Sequence, residues 1–340
     1  MKNFFAICAF AILMGAASAA NCQERDRKIV VVTTSNTAAN QLLVYDTSAN
    51  LVQSVPTGGQ GGVGGNSGGI ASWKNELAVV NFGSQSVSIF QRSGDGFRMV
   101  HTIATASSPV SVAFGNNHLY ILGTTEVESH RMYGSVVSLG ADGVATLVKA
   151  DGSAAQVGVV QDQLIVTEKS NAIESVTLNG EGEITGLATL VANIPSNVNA
   201  PFGLVTRGND AYVTIAHANE ISLVRNADIL TITGSGTQNA PCWLALDGPF
   251  LFSSNTASLS ISRFAVYGQK IVQDAAVAAK LNGGPIDIAQ LAGVLAVIDS
   301  PGTVSHLSTF TVDEDGNLTL KASTTINSAA NGVAIVRVDD

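Results

Sequence analysis

Leu77-Ala78-Val79-Val80, a polar turn at Gly83-Ser84-Gln85, then Val87-Ser88-Ile89-Phe90 is the unit that decides the fold, because it recurs along the whole chain. Toward the N-terminus it appears as Ile29–Val32 with Leu42–Tyr45. Toward the C-terminus it appears as Leu119–Leu122 followed, after a longer insert, by Val136-Val137-Ser138-Leu139. It returns as Leu164–Thr167 with Ile173–Val176, Ala211–Thr214 with Ile221–Val224, Phe250–Ser253 with Leu259–Ser262, and Leu295–Ile298 with His306–Phe310. These runs are rich in Val, Ile, Leu and Phe and are bounded by Gly, Asn, Asp and Ser, which is the chemistry of strands and their turns. The seven copies start 39 to 48 residues apart, the length of one four-stranded propeller blade.

Two further elements recur in phase. Before each pair lies a short strand led by Gly or Pro, as in Pro109–Ala113, Pro201–Val205, Pro241–Ala245 and Pro285–Ala289. Proline is tolerated at the first residue of a strand, where no ladder donor is lost. After each pair lies a hairpin signal and a fourth strand, seen at Asp142-Gly143, Glu181-Gly182 and Asp315-Gly316. The first copy has no leading strand of its own, and Asn331-Gly332-Val333-Ala334-Ile335 has the leading pattern with no pair after it. The sequence therefore predicts an all-β, seven-bladed β-propeller over 29–340, closed by the C-terminal strand completing the first blade. Closure removes exposed sheet edges.

Upstream, Lys2, the apolar run Phe4–Met14 and Ala17-Ser18-Ala19 read as a signal peptide over 1–19. A tail over 20–28 follows, and the protein is expected to be secreted or periplasmic. The apolar run is too short to span a bilayer, which needs about 20 residues. Without the leader, 16 basic residues stand against 26 acidic ones, net −10. An acidic surface with 13% charged residues argues against nucleic acid and anionic membranes as partners, and no later segment is long and apolar enough for membrane insertion to be expected. A small-molecule ligand and a monomer are expected. Cys22 and Cys242 are read as one tail and one core cysteine, with a disulfide as the alternative.

In a propeller the leading strands line a central channel, and ligands bind at its mouth. The loops reaching the mouth carry Asn66, Ser67, Asn199 and Asn239. The turns after the second strands carry Asn81, Glu168, Lys169, His217, Asn255 and Asp299. Glu168 is the candidate catalytic acid or base, since burial lifts a carboxyl toward neutrality; the alternative is a salt bridge between blades or a loop cap. His217 is the candidate proton shuttle, or a plain loop histidine. Glu168, Asn255 and Asp299 are oxygen ligands of the kind calcium takes, but no contiguous ligand spacing accompanies them, so no metal and no cofactor is expected. Gly58–Gly69 lacks a phosphate-loop lysine and a following helix, and is read as a long loop at the mouth.

Asn40–Asp46, Val79-Val80-Asn81, Val166–Lys169, Ala240–Ala245 and Asp313–Leu320 together resemble the lactonase-type seven-bladed propellers. That family includes 6-phosphogluconolactonase and 3-carboxymuconate cyclase, and the likeness is to its secreted members in particular. The resemblance covers about residues 29–335 and implies the propeller fold and a reaction on a small lactone or cyclic acid. It places Glu168 where the cyclases carry a glutamate. Their histidine and arginine positions read Ser108-Pro109-Val110-Ser111 and Ala154-Ala155-Gln156-Val157 here. Two readings stand: a lactonase-like enzyme acting at the channel mouth, and a non-catalytic module binding a small molecule, glycan or protein.

Overall fold

The computed structural model describes residues 28–192 and 199–338. The proposed signal peptide, Cys22 and most of the tail lie outside the described residues. Seven antiparallel sheets are present, and each is a blade. The innermost strands of blades 1 to 7 are Asn331–Arg337, Ile70–Trp73, Pro109–Gly115, Ala154–Val160, Pro201–Arg207, Pro241–Asp247 and Gly284–Leu291. Closure follows the expected pairing of the C-terminal strand with the first, in a register where Ile29 opposes Arg337, Val31 opposes Ile335 and Thr33 opposes Val333. Among the described residues no helix is long and apolar enough to cross a membrane.

The second strands explain why the pattern was continuous rather than alternating. All six residues of Glu76–Asn81 are buried, because a blade in the ring is covered on both faces. Leu77 and Val79 pack with Val32 and Val44 of blade 1, while Ala78 and Val80 pack with Val110 and Val112 of blade 3. A strand buried on both faces reads as an apolar run.

Blade 3 departs from the expected pairing. The partner of His118–Gly123 is Glu126–Tyr133, inside what reads as an insert. Val136–Val137 is instead a two-residue outer strand at the end of that partner, and Gly143–Thr146 completes the edge. The cause is chemical. Glu126–Tyr133 carries Glu128, Ser129 and His130, all buried, and lacks an apolar run. Glu128 Oε1 accepts the Ala106 N–H at 2.9 Å, and the His130 ring lies 3.3 Å from Glu128 Oε2 and 3.2 Å from the Ser138 carbonyl. The polar side chains are satisfied inside the blade, so this strand needs no apolar signature.

Candidate functional site

Each innermost strand begins on the face where the second strand of its blade ends. Ala154 opposes Glu168, Pro241 opposes Asn255 and Pro285 opposes Asp299. All the candidate residues therefore lie on one face, here called the front.

The front of the channel is closed by the glycine-rich loop that enters blade 2. Asn36 anchors it: its Oδ1 accepts the N–H groups of Gly62 and Val63 at 2.7 and 3.1 Å. A Cβ on Gly61 would fall 2.4 Å from the Asn36 backbone, so only glycine permits this approach. Val63 is buried against Val110 and Val112. Farther along, Asn66 Nδ2 donates to the Val110 carbonyl at 2.7 Å, and Ser67 N–H to the Ala155 carbonyl at 3.0 Å. Lys169 Nζ donates to the Gly65 carbonyl at 2.6 Å. From the far side of the ring, Trp243 Nε1 donates to the Asn66 carbonyl at 3.0 Å, with its ring edge-on to Phe202 at 5.1 Å. One loop thus ties blade 1 to blades 3, 4 and 6 across the mouth.

This geometry distributes the predicted residues among different roles. Asn66 and Ser67 are buried within the closing loop. Asn81 is fully buried, accepting from Asn40 Nδ2 and Thr57 Oγ1 at 3.0 and 2.7 Å and donating to Ser88 Oγ at 2.7 Å. Asn255 is likewise buried and donates to Ser260 and Ser262 at 3.1 and 2.8 Å. His217 and Asn199 are exposed and meet each other, with His217 Nδ1 3.2 Å from Asn199 Oδ1. Asn239 is exposed, and its N–H donates to Ser258 Oγ at 2.8 Å. Asp299 is buried, and His306 Nδ1 lies 3.6 Å from its Oδ2, too far for a hydrogen bond. Burial pushes the Asp299 carboxyl upward. Among the described residues no cluster of three or more His, Cys, Asp or Glu side chains gathers at metal-binding distance.

Glu168 has no solvent exposure. Its Oε2 accepts from Ser153 Oγ at 2.9 Å, while its Oε1 is buried without a hydrogen-bond partner. Burial pushes its carboxyl up to about 8; the Ser153 hydroxyl works against this, and the charges of Glu174 and Asp151 add to it. Glu168 is therefore protonated at neutral pH, the state of a general acid rather than of a base. Burial in turn lowers the Lys169 ammonium, opposed by the Glu168 and Asp151 charges. Glu174 accepts the Val148 and Lys149 N–H groups at 2.9 and 2.8 Å and fastens the connection from blade 3.

Behind the closing loop the channel is open. A cavity of about 280 Å³ is lined by innermost strands of six blades, with Ser67 and Gly68 of the loop at its front end. Its walls include Ile70, Leu204, Leu244, Ile288 and Ile335. Toward the back face the lining becomes accessible, with Ser72 exposed and Leu246 and Gln290 half-buried. Asp287 is the sole ionisable residue of the lining, and the sequence reading passed over it. Its signal was a lone charge in the apolar strand Pro285-Ile286-Asp287-Ile288-Ala289. Asp287 Oδ1 accepts the Ile288 N–H and its Oδ2 the Val333 N–H, both at 2.9 Å.

No protein-family model and no curated protein matches this chain. Solved structures do match. A provisionally named 6-phosphogluconolactonase from Bacteroides fragilis superposes with a TM-score of 0.66 at 14% identity, covering 92% of this chain and 98% of its own. Another from Bacteroides uniformis gives 0.68 at 14%, covering 92% and 100%. A virginiamycin B lyase from Staphylococcus aureus gives 0.57 at 14%, covering 79% and 95%. What these proteins share with this chain is the propeller fold.

Proposed function

We propose that this chain is an exported propeller that binds a small molecule in its central channel, reached from the back face. The observation that carries this reading is the hydrogen bond from Trp243 to the Asn66 carbonyl. It locks the loop across the front mouth and leaves the cavity behind it. The cavity sits just below the usual pocket range of about 300–1,000 Å³, so its ligand has few heavy atoms. Ala289 lines the cavity, and Ala289→Trp would fill it. Thermal-shift and calorimetric titration with small apolar and polar fragments should show binding to the wild type and none to Ala289→Trp. Binding that survives in a folded Ala289→Trp protein would refute the channel as the site. Export rests on Ala17-Ser18-Ala19; N-terminal sequencing of secreted material should begin at Ala20, and an intact Met1 would refute it.

A second reading, hydrolysis of a small lactone with Glu168 as the acid, is favoured by the unpartnered Oε1 of that buried carboxyl and by the names of the proteins that share the fold. A lactone panel with Glu168→Gln as the control tests it. General acid–base catalysis would show as a loss of about 10²-fold or more, and equal turnover in the variant would remove Glu168 from the reaction.

A further inference from the structure

Resting on the channel-binding reading, the structure of the cavity also specifies the charge of its ligand. The walls are apolar, and their polar lining is Ser67, Ser72, Gln156, Gln290 and Asp287. No Lys, Arg or His is among them. A phosphorylated, carboxylated or hydroxy-acid ligand would meet a carboxyl group and no cation. An ammonium group meets the opposite situation. Each Asp287 oxygen already accepts one backbone N–H. A carboxylate offers about four lone-pair positions, so roughly two remain for donors from the cavity. Gln290 adds a second polar feature of the lining: its Nε2 is buried and has no hydrogen-bond partner. Gln156 is already engaged, with Oε1 accepting the Leu204 N–H at 2.6 Å.

We infer that the channel cavity binds a small amine with an apolar body, its ammonium seated on Asp287 and its body against Ile70, Leu244, Ile288 and Ile335.

The charged residues on elements packed against Asp287 do not compete for it. Asp247 and Arg337 lie at the back ends of the adjoining innermost strands, and Asp299 at the front end of the neighbouring strand of blade 7. The Asp287 carboxyl is governed by burial, which raises it to about 7 against the pull of the Val333 and Ile288 N–H groups, with no contribution from another charge. Empty, the site is thus a mixture of acid and carboxylate at neutral pH. The ammonium requires the carboxylate, so amine affinity rises with pH through 7, until the amine itself loses its proton.

Benzylamine and its neutral isostere benzyl alcohol serve as probes, titrated into the full-length secreted protein by calorimetry at pH 5.5 and 8.5. The expected result is benzylamine binding at least tenfold tighter than the alcohol at pH 8.5. Its affinity should gain about thirty-fold between the two pH values, the change in carboxylate fraction for a group titrating near 7, while the alcohol's affinity stays flat. Asp287→Asn should remove both the preference and the pH dependence; the wild-type comparison stands without it if that variant does not fold. Equal, pH-independent binding of the two probes, abolished by Ala289→Trp, would overturn the amine assignment and leave the channel-binding reading intact. Binding of neither probe at either pH would also overturn the amine assignment. Binding of both that persists in Ala289→Trp would overturn the channel reading with it.

Discussion

Glu168→Gln should make the protein more stable, and increasingly so as pH rises. The native Glu168 carboxyl holds its proton up to about pH 8. In the unfolded chain the same group releases its proton at the ordinary glutamate value of 4.5. Between those limits the native state binds more protons than the unfolded state, so stability falls as pH rises. The loss begins near pH 4.5, grows to about pH 8 and is constant above it. A displacement of that size corresponds to about 5 kcal/mol at full extent, at roughly 1.4 kcal/mol per unit. That is a large share of the roughly 5–15 kcal/mol that holds a native protein together. Glutamine has the same shape and cannot ionise, and its carbonyl can still accept from Ser153 Oγ. The assay is urea unfolding of wild type and variant at pH 5, 7 and 9. Groups remote from position 168 titrate alike in the two proteins, so the difference curve reports Glu168 together with its coupling to Lys169, Glu174 and Asp151. It should favour the variant by under about 1 kcal/mol at pH 5 and by several kcal/mol at pH 9. A flat difference curve, or a variant less stable at pH 9, would refute the reasoning, because it would mean that Glu168 ionises inside the fold with a partner that stabilises its charge.

Truncation after Ala330 should abolish the closed ring. It deletes the strand that pairs with Ile29–Thr34 and removes the buried Val333, Ile335 and Val336, each contributing about 1.5–3 kcal/mol on burial. Size-exclusion chromatography and circular dichroism melting should show an expanded or aggregating species, whereas a native elution volume and melting point would refute closure by this strand. Trp243→Phe keeps the ring against Phe202 and deletes the donor to Asn66. It should cost about 1 kcal/mol and speed limited proteolysis within 58–69; unchanged cleavage there would show that the loop is held without that bond.

Six blades were legible because their second strands are sandwiched between neighbours and carry an apolar run ahead of their polar front ends. Blade 3 was not, and its reason is specific: Glu128, Ser129 and His130 are buried in its third strand with partners inside the blade and its connection. A pattern that counts apolar residues cannot see a strand whose interior is polar and satisfied. The closing of the front mouth was illegible for another reason. Its contacts join Gly65 to Lys169 and Asn66 to Trp243, 104 and 177 residues apart. The sequence shows a glycine-rich loop; where that loop runs is decided by tertiary neighbours. Asp287 was readable, since a single acid in an apolar innermost strand is a buried charge that needs an explanation.

The ends of the second strands carry the last step of the argument. In blades 2 and 6 this place is held by Asn81 and Asn255, whose amides donate to the third-strand serines Ser88 and Ser262. Those serines donate onward to the Thr57 and Ala276 carbonyls. An amide suits the place because it both donates and accepts, so an asparagine there is fully explained by the blade. An ionised carboxylate only accepts, and a protonated one has a single O–H to give where the amide has two N–H donors. In blades 4 and 7 the same place is held by Glu168 and Asp299, and both leave buried oxygens without a hydrogen-bond partner. The blade as a repeating unit accounts for the asparagines and does not account for the acids. An unsatisfied buried oxygen costs about 1–3 kcal/mol, and both carboxyls are raised by burial. Replacing Asp299 by Asn would restore the amide of blades 2 and 6 diagonal to Ser308, the blade 7 counterpart of Ser88 and Ser262, with His306 directly opposite. If the acid serves only the blade, Asp299→Asn should raise stability by about 1–3 kcal/mol at neutral pH in urea unfolding. A loss of stability would show that Asp299 has a charged partner in His306 that holds blade 7 together.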